Sequence, residues 1–293
     1  MTFVRRSMDT PRRGRGRVSS VLLGGLVALW ASACAPDTGG RMIGLQIAVR
    51  AEADEAQPLG RFTTATGWDV TLDEALAAVG PVFIYENAPV YARRDERFAP
   101  LRWLVPLAHA HPGDSHYDGG VAKGEWLGQT MLDLLDPSSY PTVDAPGIAG
   151  EARSITVHLD PPRSSLAGRE RLRGHQFYVS GVAEREGQRV PFAGGLDLPA
   201  EGDQRRVQGI PLSGVLDDGS RLVVAVHPSS WLREARFEEL LGEEPGEDGR
   251  YPIPKGSQIE RAWYIGARSL APAGVPGSAF TAWLAEHGEE DRR

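Results

Sequence analysis

The chain has a single cysteine in 293 residues, so no internal disulfide braces it and no cysteine cluster can serve as a metal or redox centre. The loops that handle nucleotides are also missing. No Walker glycine-lysine loop occurs and no Gly-x-Gly-x-x-Gly opens a helix, which argues against phosphate and nucleotide chemistry. Neither His-Glu-x-x-His nor Gly-x-Ser-x-Gly is present, so no zincin or serine-elbow hydrolase is signalled. Beyond residue 33 no apolar run is long enough to span a bilayer. Basic charge is in deficit: 32 Lys and Arg against 39 Asp and Glu give a net charge of −7, which repels nucleic acid and anionic headgroups. Glycine and proline, by contrast, are plentiful at 35 and 22. They favour many short elements joined by turns over long helices.

The amino terminus reads as an address. Arg5, Arg6, Arg12, Arg13, Arg15 and Arg17 form a basic region, Val18 to Trp30 an apolar one, and Ala31-Ser32-Ala33 a small-residue cleavage site, so residues 1–33 are expected to be an export signal. Cys34 follows directly, an arrangement that resembles the lipobox of bacterial lipoproteins and implies lipidation of Cys34 with anchoring in a membrane. Residues 34–41 would then be a tether, and the exported chain would face the periplasm or the cell surface, for instance from the outer membrane. A secreted soluble protein is the alternative. Cleavage leaves 26 basic against 38 acidic side chains, a net charge of −12.

Residues 42–293 read as one antiparallel β-sandwich with two or three short helices, a mainly β fold. Met42 to Arg50 alternates apolar and polar as a half-buried strand does. Further strands are expected at Arg61 to Thr66, Val82 to Glu86 and Ser154 to Leu159. Hairpins are expected at His175 to Leu196 and, through an Asp-Gly turn, at Val207 to His227. Asp73 to Val79 reads as a short helix between a cap and Gly80-Pro81. Val143 to Gly150 reads as a linker, Gln258 to Ile265 as a strand or a helix, and Ala279 to His287 as a helix.

Chemistry concentrates between residues 104 and 120. His109, His111 and His116 are three of the seven histidines and fall within eight positions. If Leu104 to Ala108 is a strand, its period of two turns both imidazoles of His109-Ala110-His111 to one face. Pro112-Gly113-Asp114 can fold the chain back to deliver His116, with Asp114, Tyr117 and Asp118 as nearby oxygen donors. Neutral imidazoles suit copper or zinc far better than calcium or magnesium. His175 and His227 stand at strand ends and are the candidates to complete the shell, whereas His158 alternates away from Ile155, Val157 and Leu159 and is expected to face solvent. The plain reading of the same stretch is a solvated polar loop.

Gly67-Trp68-Asp69-Val70-Thr71-Leu72-Asp73-Glu74-Ala75, followed by Val79-Gly80-Pro81-Val82, resembles the opening of the MbnP-like family of exported bacterial metal-binding proteins. Pro228-Ser229-Ser230-Trp231-Leu232 and Ala235 to Leu240 are similar to a later segment of that family. The resemblance implies an exported β-rich protein that binds metal, with copper the associated ion and lipid anchoring found in several members. On this reading the chain carries, stores or delivers copper or zinc, with a partner metalloprotein to receive it and no role in nucleic-acid binding. An enzyme is the less favoured reading. It would need an open coordination position with Glu125 or Asp114 as a base, and a metal-free structural or adhesion module is a third possibility.

Overall fold

Residues Met42–Ala51 turn Ile43, Leu45 and Ile47 inward and Met42, Gly44 and Gln46 outward. They form strand β1 of the computed structural model, which describes residues 40–53, 58–89, 119–270 and 278–285. The chain continues through β2 (Arg61–Thr63), β3 (Asp69–Val79), β4 (Val82–Tyr85), β5 (Ala122–Trp126), β6 (Thr130–Asp133), β7 (Thr142–Ile148) and β8 (Gly150–His158). Then come β9 (Phe177–Arg185), β10 (Gln188–Leu196), β11 (Arg206–Leu216), β12 (Ser220–Val226), β13 (Tyr251–Pro252), helix α1 (Gln258–Gly266) and β14 (Phe280–Ala285). Short 3-10 turns at Arg169–Leu172, Pro228–Ser230 and Phe237–Gly242 complete the described elements. The protein is mainly β, as its glycine and proline content and alternation led us to expect.

Two sheets enclose one core. The larger has the order β11-β8-β4-β5-β7-β1-β12-β14, and the smaller β13-β10-β9-β3-β2 with β6 also on β3. Most ladders are antiparallel, but β1 pairs β12 in parallel and β10 pairs β13 in parallel. Ile47, Val49, Val82, Ile84, Ile155, Val157, Val224 and Val226 of the large sheet face Ala75, Ala77, Val179, Val190 and Phe192 of the small one, all within one buried cluster. Each such Val, Leu or Ile contributes roughly 1.5–3 kcal/mol when fully buried. Three aromatics lock one end: Phe177 meets Trp231 edge-on at 5.2 Å, and Trp231 stacks on Trp263 at 6.0 Å. Helix α1 delivers Trp263, and its start is set by the Ser257 side chain, which accepts from the Glu260 N–H at 3.1 Å.

In secondary structure and strand pairing the structure differs from the sequence reading at four places. Asp73–Val79 is not helical but the second half of β3, flanked by β9 (Leu76 opposite Tyr178) and by β6 (Leu76 opposite Asp133). Residues Ala75 to Val79 are buried on both faces, so two ladders and burial override the helix propensity of a Glu-Ala-Leu-Ala-Ala run. Val143 to Gly150 is no linker, because β7 runs there between β1 and β5. The C-terminal segment expected to be helical is β14, with Trp283 opposite Val223 of β12. Finally, β11 and β12 form no hairpin: β11 pairs β8, and β12 lies between β1 and β14. Their turn instead docks on β1, where the Gly44 N–H donates to Asp218 Oδ1 at 2.9 Å and the Gly219 N–H to the Gly44 carbonyl at 2.8 Å.

Strand directions define two rims. Chain order and pairing put the start of β1, the ends of β4 and β11, and the starts of β5, β8 and β12 on one, here the amino-terminal rim. The start of β4 and the ends of β1, β3, β8 and β12 lie on the opposite rim.

Candidate metal centre

The histidine stretch belongs to the connection between β4 and β5, and both ends of that connection leave the amino-terminal rim side by side. The Asn87 N–H donates to the Gly119 carbonyl at 3.2 Å, and the Glu86 N–H to the Val121 carbonyl at 3.3 Å. The Val121 N–H donates in turn to Glu86 Oε1 at 3.4 Å, while Lys123 Nζ lies 3.2 Å from Glu86 Oε2. Ser154 on β8 donates its hydroxyl to the Asn87 carbonyl at 2.5 Å. Two glycines make this closeness possible. A Cβ on Gly119 would stand 2.6 Å from the Tyr85 ring, and Gly120, at φ +70°, is pressed against the Asn87 amide. Burial raises the Tyr85 phenol above its ordinary value, opposed by Arg206 and reinforced by Glu125. His109, His111 and His116 lie outside the described residues, as do Trp103, Asp114, Tyr117, Asp118, Cys34 and His287. Glu86, Asn87, Ser154 and Lys123 were not singled out from the sequence. The Gly119-Gly120 pair was the available signal for a tight neck.

The histidines among the described residues sit on the opposite rim. His175 precedes β9, and its Nδ1 lies 2.8 Å from Asp197 Oδ2, while Asp197 Oδ1 accepts from the Gln176 N–H at 3.1 Å. Gly195 gives the imidazole its place, because a Cβ there would collide with the ring. A carboxylate on one ring nitrogen fixes the orientation and the tautomer of an imidazole, which is how ligating histidines are commonly prepared. His227 closes β12, with Nε2 2.9 Å from Thr281 Oγ1 and its backbone N–H on the Ala279 carbonyl at 3.0 Å. His158 departs from the solvent-facing expectation. It stands on the outer face, but its ring lies 5.1 Å from that of Phe83 and its side chain is only 18% exposed. That burial lowers its pKa, against the pull of Asp160 at 3.9 Å.

Among the described residues no group of three or more His, Cys, Asp or Glu side chains converges as a metal site. A separate depression of about 280 Å³ is lined by Ser230, Arg233, Glu234, Ala262, Ile265 and Ser269, with Gly266 in its wall. It holds no histidine, and its two charges are of opposite sign. No helix among the described residues is long and apolar enough to cross a membrane.

No known family profile matches the sequence, and no curated protein matches it. Among solved structures the fold is similar to that of MbnP from Methylosinus trichosporium, at 8% sequence identity and a TM-score of 0.40, over 84% of this chain and 99% of that one.

Proposed function

We propose that this is an exported, lipid-anchored protein that binds one copper or zinc ion through His109, His111 and His116, for carriage, storage or delivery to a partner metalloprotein. The observation that carries the reading is the neck. Asn87 and Gly119 are hydrogen-bonded to each other, so a connection holding three of the seven histidines is pinned at both ends to one rim. Pinning the ends lowers the entropy lost when the imidazoles gather on an ion. His116 stands three residues before Gly119, so its Cα lies within about 11 Å of that glycine.

The same distance argues about the fourth donor. An ion reaches its donors at about 2 Å. His227 closes β12, four strands from β4 in the large sheet, and lies on the opposite rim. A shell built on His116 therefore draws its fourth donor from its own rim, with Asp114, Tyr117 and Asp118 nearest in sequence. His175 and His227 keep their described partners, Asp197 and Thr281.

Elemental analysis of the exported chain tests this directly. The parent protein is expected to carry close to one copper or zinc per chain, and the His109→Ala/His111→Ala double variant to carry less than about a tenth as much, as loss of two ligands requires. His175→Ala and His227→Ala are each expected to retain the ion. Equal metal in the parent and the double variant sinks the proposal, and loss on His175→Ala or His227→Ala moves the centre to the opposite rim.

A further inference from the structure

Six large hydrophobic side chains are exposed among the described residues, and three of them share the amino-terminal rim. Met42 (69% exposed) opens β1, Val121 (54%) immediately precedes β5, and Val215 (57%) is the penultimate residue of β11. Singly exposed apolar residues are ordinary on a protein surface. These three are set apart by position, since they stand where the chain comes in at Gly40, six residues after Cys34. Six residues extend no further than roughly 20 Å, so a lipid on Cys34 would hold this rim within that distance of a bilayer.

The charges on the rim point to the kind of surface it meets. Arg41 pairs with Asp217 at 3.0 Å, Lys123 with Glu86 at 3.2 Å and Arg153 with Glu151 at 2.6 Å. The Asp218 carboxylate accepts from the Gly44 N–H. Three cations thus meet four anions among these described residues, which leaves a weak negative field at most. Among the described residues such a rim has no strong attraction for anionic lipid, and what remains unpartnered there is apolar.

We infer that the amino-terminal rim is a membrane-docking surface: Met42, Val121 and Val215 settle into the headgroup region of a zwitterionic bilayer. This inference rests on the lipid-anchored reading of Cys34. Three short side chains would bind a vesicle weakly by themselves, but the tether keeps them at high effective concentration, so they orient the molecule without having to recruit it. The β4–β5 connection leaves and returns on the same rim, so docking turns its neck toward the membrane. His175 and His227 then point away.

The test uses the chain from Cys34 onward, with Cys34 coupled through a maleimide to a phospholipid in phosphatidylcholine vesicles. A photocrosslinking amino acid replaces Met42, Val121 or Val215 in turn, and Leu127 or Ile265 as controls. Lipid adducts counted by mass spectrometry are expected to be several-fold more frequent at the three rim positions. Equal frequencies at all five positions overturn the docking surface. Intact-mass measurement of the natively exported chain reads the lipid on Cys34 separately, so a missing anchor and a freely tumbling anchored molecule are distinct results.

Discussion

Burial on the outer face decides how His158 titrates. Its imidazole is covered by Phe83, and the loss of water outweighs the opposing pull of Asp160, so its pKa lies below the ordinary 6.5. The unfolded chain therefore takes up this proton first as pH falls. The contribution to stability is complete above about pH 6.5 and declines as pH drops from there through the folded-state pKa. A His158→Phe variant keeps a ring on Phe83 and removes the proton site. We expect its urea midpoint to change less than that of the parent between about pH 7 and about pH 5, and identical slopes would refute the assignment. At this scale the sequence is a partial guide. Alternation put His158 on the outer face correctly, but the covering ring is Phe83, 75 positions earlier, and nothing local reveals it. The neck was hidden for the same reason: Ser154 reaches Asn87 only because β8 and β4 are neighbours.

Elements became legible where one influence dominated. β1 was readable because its alternation sets its faces, and the β9–β10 hairpin because Glu186 and Gly187, both at positive φ, make a tight turn that matches strand twist. β3 was misread because Ala75 to Val79 is flanked by strands on both sides and buried on both faces, a state in which period carries no information. Helix α1 was ambiguous for its short length, yet Ser257 and Glu260 are a capping pair that decides the matter. Its docking gives a sharp prediction at Gly266. In an exposed helix, Gly→Ala would stabilise by about 1 kcal/mol. Here a Cβ would run into the backbone carbonyls of Ser230 and Trp231, which do not yield as a side-chain tip does. Gly266→Ala is therefore expected to destabilise by about 1–3 kcal/mol through overpacking, measured by urea unfolding. A rise in stability would show that the helix is free to shift.

For the whole molecule, the absence of disulfides places the burden on burial and on the way the large sheet ends. Its terminal strands, β11 and β14, come together, with Leu284 lying over Gly214, so the sheet curls back on itself and brings its two edge strands into contact. That arrangement also explains the failed hairpin reading: β11 and β12 are joined by a tight turn, while β14 lies beside both. Sequence signals report turns well, but strand order depends on contacts more than 50 residues apart, such as β12 with β14. β14 is therefore the lock of the fold, for without it β12 presents Leu222–Val226, an apolar strand, as an unpaired edge. Such an edge is a template for pairing with another chain. Removing residues 278–293 is expected to leave a protein that assembles into dimers or larger species, seen by light scattering on a sizing column, and that unfolds at lower urea than the parent. A truncated chain that stays monomeric with an unchanged urea midpoint would mean that β1 and the core hold β12 unaided and that the closure between β11 and β14 is incidental.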